Sequence, residues 1–384
     1  MRLTEIQGGP SLTLPAEDPR RQAVRDWLVE HPSPSGAELA SAGLVAPHWP
    51  RPWGLDADPL HQLLVDDELR SAGVKRPVNP IGLGWAGPTI LQAGTDEQRA
   101  RYLPGILDGS DFWCQLFSEP DAGSDLASLR TTAVRDGDEW IIRGQKLWTT
   151  FAHRASHAIL IARTDATGPK HHGITYFVCD MSSPGIEIRP IVDMTGWHEF
   201  NEVFLNDVRI PAENVVGEVG GGWAITKMTL GNERVSLSAG GVLWGTGPTA
   251  QHLLDVVRAS GAEIHPVIRQ RLVALHVEDL ILRLLRLRTV SATIQGRAPG
   301  PEASIRKLFA DHHGQHVMQA AKDLAGTNGL LVDGGPLGAA VDRWHFGFLF
   351  APALTIGGGT SEVQRSIIGE RVLGLPAEPE PCRA

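Results

Sequence analysis

Two short segments of this chain are rich in hydroxyl and glycine residues and indicate a binding loop. They span residues 117–125 (FSEPDAGSD) and 145–150 (QKLWTT). The hydroxyls can donate and accept hydrogen bonds, glycine lets backbone amides approach a ligand closely, and tryptophan offers an aromatic ring face. The pair therefore predicts a site for a flat, polar heterocycle, although either segment alone would equally fit a surface loop.

Composition limits the classes of function. The chain has 384 residues, of which 42% are hydrophobic and 21% charged, as in ordinary globular proteins. Its net charge of -9 argues against a nucleic-acid surface, and no apolar run is long enough to span a bilayer. The N-terminus lacks a secretory apolar core, and Cys114, Cys179 and Cys382 form no close pair. We therefore expect a cytoplasmic protein without a disulfide framework or a metal site.

The order of predicted elements is helical, then β, then helical, which gives an α+β fold class. Residues 1–111 are predicted to form a mostly helical N-terminal domain. Residues 112–216 consist of short alternating runs and turns, including a hairpin around Gly137, and predict a compact antiparallel β domain. Residues 217–384 return to helix and predict a C-terminal four-helix-type domain.

Six segments have the apolar spacing of an α-helix. They are residues 21–30, 60–72, 96–107, 223–253, 265–293 and 304–324. Thr95 and Gln98 are spaced as a capping box for the third. The fifth is apolar around much of its circumference, so we expect it to be buried within a bundle or between subunits.

Two motifs resemble functional sites but are assigned to structure. Residues 82–87 match a dinucleotide-binding pattern, but Pro77 and Pro80 break the strand that should precede it. A glycine-rich helical segment packed closely against a neighbour is favoured. His312, His313 and His316 lack a companion ligand cluster and predict a polar helix surface.

The two hydroxyl-rich segments together resemble the flavin-binding signatures of the acyl-CoA dehydrogenase family, and residues 359–365 (GTSEVQR) resemble its C-terminal motif. The resemblance extends from the loop near His48 to about Leu375. It implies an acyl-CoA dehydrogenase-like fold, bound FAD, an acyl-CoA substrate and a role in fatty acid or lipid degradation. It also implies a homotetramer or heterotetramer that passes electrons to an electron-transfer flavoprotein.

The resemblance assigns eight positions to contacts with FAD. They are Phe117 and Ser118 at the pyrimidine edge, Trp148 and Thr150 at the stacking face and near N5, Gly123 and Ser124 in the loop that closes on flavin and acyl-CoA, and Thr360 and Glu362 near the adenosine half. Ser124 is thereby also a substrate contact.

The implied reaction requires a carboxylate that takes the proton next to the thioester carbonyl, in a dry pocket that increases its proton affinity. The family places this base either just before the C-terminal Gly-Thr-Ser motif or on a helix early in the third domain. Here the first position is Gly358, which cannot be a base, and the second is Glu233. The chain therefore resembles members with the helix-borne base, such as the isovaleryl-CoA and long-chain enzymes and actinobacterial homologues. Glu233 is the predicted base, the Gly358 amide is the donor to the thioester oxygen, and Arg234 is a predicted substrate contact.

Two departures from the family pattern concern the adenosine half of FAD. The usual Phe-Gly does not follow Arg258, and Asp323 stands where glutamine is common. They leave open a non-catalytic or co-catalytic subunit of a heteromeric dehydrogenase. An oxygen-using acyl-CoA oxidase or monooxygenase relative also remains open, as does the acyl group: straight, branched, aromatic or steroid-derived.

Overall fold

The computed structural model describes residues 14–237, 243–244, 247–261, 263–294, 300–330 and 339–377, without the side chains of 234–237, 293–294, 328 and 339–342. The chain divides into two compact units, Leu14–Glu233 and the residues from Arg234 onward. The predicted domain boundaries after residues 111 and 216 stay predictions. No helix in the described ranges has the length and apolar character needed to cross a bilayer.

The first unit begins with helices that the sequence largely predicts. They are α1 (Pro19–Glu30), α2 (Gly36–Ser41), α3 (Pro59–Ser71), α4 (Gly87–Ala93) and α5 (Asp96–Asp108), with a π-helical turn at Gly82–Ala86. The capping box of Thr95 and Gln98 is confirmed at the start of α5. The glycine-rich segment is helical, as predicted, and a Cβ on Gly87 would overlap the ring of Trp49.

An eight-stranded sheet follows in the order β6-β7-β3-β2-β4-β5-β8, with β1 beside β4. The strands are β1 (Trp113–Leu116), β2 (Thr132–Asp136), β3 (Glu139–Thr150), β4 (His157–Arg163), β5 (Ile174–Asp180), β6 (Ile186–Ile191), β7 (Phe200–Pro211) and β8 (Val215–Val216). The predicted hairpin at Gly137 joins β2 to β3. The sheet is not purely antiparallel, because β1 and β2 each pair with β4 in parallel.

Strand β1 separates two apolar cores within the first unit. Trp113 and Phe117 pack with residues of the N-terminal helices and with Ile225, whereas Cys114 and Leu116 pack with residues of the sheet. This division follows from the alternation of side chains along a strand. Gln115, between Trp113 and Phe117, therefore belongs to the row that faces the helices.

The helices after the sheet differ from prediction at one point. They are α6 (Gly222–Leu237), α7 (Ala250–Ser260), α8 (Pro266–Ile294), α9 (Ala303–Ala325), α10 (Ala339–Phe350) and α11 (Ser361–Ile367). The single helix predicted over 223–253 is wrong. Gly247 has a φ of +77°, Pro248 cannot donate a helical hydrogen bond, and Thr249 caps a new helix, α7.

Candidate active site

The two segments singled out in the sequence lie side by side. Residues 117–125 follow β1, and residues 145–150 form the end of β3. The Leu147 amide donates to the Ser118 carbonyl over 2.9 Å, and Lys146 Nζ donates to the Phe117 carbonyl over 3.1 Å. The Phe117 ring is buried edge-on against Tyr176.

Trp148 is directed outward by an irregularity in β3. The register with β7 shifts between Lys146 and Thr149, and Trp148 adopts a left-handed φ of +59°. A non-glycine residue in this conformation is uncommon and often marks a functional site. The side chain is 57% exposed, and its ring meets the edge of Phe200 at 6.0 Å between centroids. Thr150, which pairs with Phe200, ends the strand half-buried.

The loop after Ser118 is open at its tip. Glu119 and Ala122 exchange two backbone hydrogen bonds, of 3.0 and 3.1 Å, which close the turn. Gly123 and Ser124 follow and are exposed, and a Cβ on Gly123 would meet nothing within 4 Å. The structure thus leaves both residues accessible to a ligand.

A buried ion pair beneath the two segments joins them. Lys146 Nζ, with no side-chain exposure, lies 2.8 Å from Glu119 Oε1 and also donates to the carbonyls of Phe117 and Ile161. Burial lowers the pKa of Lys146 to about 8. Burial also acts to raise the pKa of Glu119, but the Lys146 ammonium and nearby N–H donors outweigh it and hold that pKa below its usual value. The sequence analysis assigned neither residue a role.

Glu233 lies on α6 and is buried, with 8% exposure. Gln115 Nε2 on β1 lies 3.4 Å from Glu233 Oε2. One turn earlier on α6, Thr229 Oγ1 lies 2.9 Å from Thr89 Oγ1 and 3.0 Å from the Tyr176 hydroxyl. This buried hydroxyl cluster fixes the helix that carries Glu233.

The glycine turn before α11 is held from both sides within the second unit. Gly358 and Gly359 have φ of +68° and +94°. Gln364 Nε2 donates to both of their carbonyls, over 3.1 and 3.2 Å. Lys307 Nζ donates to the carbonyls of Gly359 and Leu354, over 2.8 and 3.0 Å. The backbone amide of Gly358 therefore belongs to a turn with a defined shape.

Thr360 and Glu362 lie at the N-terminus of α11. The Thr360 side chain caps the helix by accepting from the Val363 amide over 3.3 Å. Glu362 occupies the first turn, is 80% exposed in its side chain, and lies 3.5 Å from Arg365. The Ser361 hydroxyl is buried and has no partner among the described residues.

The predicted site residues fall into two groups. Phe117, Ser118, Gly123, Ser124, Trp148, Thr150 and Glu233 belong to the first unit, and Gly358, Thr360 and Glu362 belong to the second. Arg234 lies on α6, but its side chain is outside the described residues. The residues of each group lie on or next to the strands and helices that carry the sequence motifs.

The two residues that mark departures from the family pattern, Asp323 and Arg258, each pair with another residue of the chain. Asp323 on α9 is hydrogen-bonded and ion-paired to Arg271 on α8, so its negative charge is partly compensated. Arg258 lies 3.1 Å from Asp255 on its own helix.

One histidine on α9 differs from prediction. His313 is buried and its Nδ1 lies 2.8 Å from Glu278, so the predicted polar surface is wrong at this position. His, Cys, Asp and Glu side chains of the described ranges form no group of three or more suited to a metal ion.

The residues present fit a flavin. Trp148 offers an exposed ring face, and the loop at Gly123 is open. The Thr149 hydroxyl, next to Trp148 in the chain, is buried with no hydrogen-bond partner in the described part of the chain. Stacking on an indole with hydroxyls at the edge suits a flat, polar ring system.

Three family descriptions match along the chain. They are the N-terminal domain of acyl-CoA dehydrogenases over residues 17–110, the middle domain over 114–208 and the C-terminal domain over 220–373. The predicted fold class is thereby confirmed, with a helical N-terminal domain, a middle β domain and a helical C-terminal domain. The chain belongs to the acyl-CoA dehydrogenase family, whose members are flavoprotein oxidoreductases.

Curated relatives come from mycobacteria. The acyl-CoA dehydrogenase FadE34 of Mycobacterium tuberculosis is 45% identical over 88% of this chain. The chain spans only 45% of the length of FadE34. The acyl-CoA dehydrogenase IpdE1 of the same organism is 39% identical, over 88% of this chain and 87% of IpdE1.

Solved structures with the same fold include a steroid ACAD and a complex. The Tcur3481-Tcur3483 steroid ACAD gives a TM-score of 0.77 at 28% identity, covering 96% of this chain and 100% of that one. The ChsE4-ChsE5 complex from Mycobacterium tuberculosis gives 0.77 at 30% identity, covering 98% of this chain and 100% of that one.

Proposed function

We propose that this chain catalyses the FAD-dependent α,β-dehydrogenation of an acyl-CoA thioester, with Glu233 as the base. The observation that carries the proposal is the buried carboxylate of Glu233 on α6, next to the strand that leads into Phe117 and Ser118. A carboxylate shielded from water is suited to take a proton from carbon.

The first unit would bind the flavin ring. Trp148 stacks on it, Thr150 and Ser118 offer hydroxyls at its edges, and the loop of Gly123 and Ser124 closes over ring and substrate. FAD, when bound, supplies the acceptor for the β-hydrogen and its electron pair. The buried pair of Lys146 and Glu119 keeps both binding segments in place.

The second unit would stabilise the negative charge that develops on the thioester oxygen. It would also help to bind the adenosine half of FAD. The family resemblance assigns the amide of Gly358 as the donor to the thioester oxygen, where negative charge develops. Because Gln364 and Lys307 hold the carbonyls of this turn, the amide is preorganised. Thr360 and Glu362 lie near the adenosine, and Arg234 contacts the substrate.

We propose a steroid-derived acyl-CoA as the substrate class and a heteromeric assembly as the working form. Both rest on the structural neighbours named a steroid ACAD and a ChsE4-ChsE5 complex. Helix α8 supports subunit packing, since it exposes an apolar row of Val273, Val277, Ile281 and Leu284. A homotetramer is the alternative. Electrons would pass to an electron-transfer flavoprotein in the cytoplasm, where the unpaired Cys114 and Cys179 would stay reduced.

A second candidate is a co-catalytic subunit that completes a partner's site. Asp323 favours it, because an acidic group does not suit a pyrophosphate contact, although Arg271 partly compensates it. In that case the isolated chain would hold little FAD and would need the partner for turnover.

An anaerobic titration with a panel of acyl-CoA thioesters tests the proposal through flavin absorbance. We expect bleaching by steroid-derived thioesters and a loss of at least a thousandfold in the reduction rate in Glu233→Gln, with FAD retained. Rapid reduction by Glu233→Gln would place the base elsewhere. Rapid reoxidation of the reduced flavin by oxygen would instead indicate an oxidase.

A further inference from the structure

Gln115 is a polar residue in an otherwise apolar row. Its neighbours on the same face of β1, Trp113 and Phe117, are almost fully buried in the core between sheet and helices. Gln115 itself is half-buried, but its Oε1 atom is buried. A buried polar atom must find a hydrogen-bond partner, so packing alone does not explain the glutamine.

The two ends of the Gln115 amide have different surroundings. Nε2 lies 3.4 Å from Glu233 Oε2. Oε1 is buried and has no hydrogen-bond partner among the described residues. Leaving a buried carbonyl oxygen unpaired destabilises a protein. Gln115 Oε1 is thus a hydrogen-bond acceptor without a described partner on the side chain that lies beside the proposed base.

We propose that Gln115 is a positioning residue that hydrogen-bonds Glu233 in both of its protonation states. Before the reaction, Nε2 donates to the ionised carboxylate. When Glu233 takes the α-proton, the carboxyl acquires an O–H donor, and Oε1 accepts from it once the amide has rotated. The inference rests on the proposed role of Glu233 as the base.

The chemistry of the amide suits this task. A glutamine side chain carries two N–H donors and one carbonyl acceptor in nearly the same shape, so a half-turn exchanges them. The transferred proton stays on Glu233, and Gln115 neither gains nor loses one. A separation of 3.4 Å is long for a hydrogen bond, as is common at catalytic groups before substrate tightens the site.

Three other titratable side chains lie on or next to α6, at positions other than that of Glu233. The Tyr176 hydroxyl contacts Thr229, one turn before Glu233. The His171 ring lies against Trp223 at the start of the helix, and Lys227 is exposed. Gln115 is chosen for variation because its amide lies beside the Glu233 carboxylate.

The test compares Gln115→Met with Gln98→Met in this chain, with FAD bound for the kinetic measurements. Methionine matches glutamine in length but cannot hydrogen-bond as an amide. Gln98 is a buried glutamine of the same unit that donates to the carbonyls of Glu213 and Val215 over 2.7 and 2.8 Å, and it serves the fold. Flavin reduction rate against pH, melting temperature without FAD, and FAD content are measured for each.

For Gln115→Met we expect the plateau rate to fall about tenfold. The acid limb of the reduction profile should move up by less than about one pH unit, because the amide stabilises the ionised carboxylate more than the neutral acid. The melting temperature should stay equal or rise, because the unpaired Oε1 is gone. Gln98→Met should melt lower, with an unshifted profile. FAD content should stay unchanged in Gln115→Met.

The opposite pattern overturns the inference. If Gln115→Met melts lower and keeps the profile and rate of the wild type, Gln115 is structural only. Glu233→Gln, measured alongside, separates this failure from that of the proposed function. Rapid reduction in Glu233→Gln would remove the base and the inference together. A dead Glu233→Gln with an unaltered Gln115→Met would overturn the inference alone.

Discussion

Replacing Lys146 with methionine should destabilise the β domain and weaken FAD binding together. The change removes an ammonium that is fully buried and that contacts Glu119, Phe117 and Ile161. Glu119 would keep its N–H donors from Arg130 and Thr131 but lose its counter-charge. Breaking one side of a buried ion pair costs about 3–5 kcal/mol.

A double-mutant cycle isolates the pair. In Lys146→Met/Glu119→Gln neither member of this pair carries a charge, and a glutamine oxygen still accepts from one of the backbone amides. We therefore expect the double variant to be about 2 kcal/mol more stable than Lys146→Met alone. With Glu119→Gln measured as well, the cycle gives the coupling energy of the pair. Arg209→Met is the control, because Arg209 pairs with Asp136 and Glu139 at an exposed position, where a salt bridge contributes little to stability.

Guanidinium unfolding of the FAD-free proteins, followed by tryptophan fluorescence, measures these differences in unfolding free energy. FAD dissociation constants, measured by flavin fluorescence, should rise at least tenfold in Lys146→Met. The reason is that the segments at Phe117 and Trp148 lose the Lys146 contacts that join them. If Lys146→Met unfolds within 1 kcal/mol of the wild type and binds FAD equally well, the pair does not support the site and the reasoning is wrong.

Three further outcomes are expected. Burial raises the pKa of Asp311 to about 6, so its contribution to stability is fully present below pH 4 and is lost as the pH rises through 6. The stability of Asp311→Asn relative to wild type should thus rise by about 3 kcal/mol between pH 4 and 7 in unfolding titrations. Trp148→Leu should keep its melting temperature yet bind FAD about threefold to tenfold more weakly by fluorescence titration. A Cβ at Gly144 would overlap Thr131, so Gly144→Ala should lose about 1–3 kcal/mol and melt lower in calorimetry.

Local patterns predicted much of the fold. Helices α1, α3, α5, α8 and α9 follow their apolar spacing, and the hairpin at Gly137 and the cap at Thr95 follow from residues close in sequence. Such signals are readable because helix and turn preferences act over a few residues. The apolar spacing predicts one helix across Gly247 and Pro248, because the helical pattern continues on both sides of this break. Gly247 and Pro248 are the local signals for the break between α6 and α7.

The motifs predict the two segments proposed to bind flavin, and the family comparison confirms the family. Their joint position in space depended on tertiary contacts. Whether Lys146 faces a core or solvent follows from the register of β3 against β7 and from the bulge next to Trp148, neither of which a local pattern specifies.

The sequence alone determined the family, the domain order and the identity of Glu233 as the candidate base, because these depend on residue types at fixed spacings. Only the tertiary structure showed that Lys146 and Glu119 form a buried pair and that Gln115 lies beside Glu233, 118 residues away in the chain. The physical reason is that burial and pairing between distant residues are set by how strands and helices pack, and the free energy of a charge or an amide depends on those surroundings.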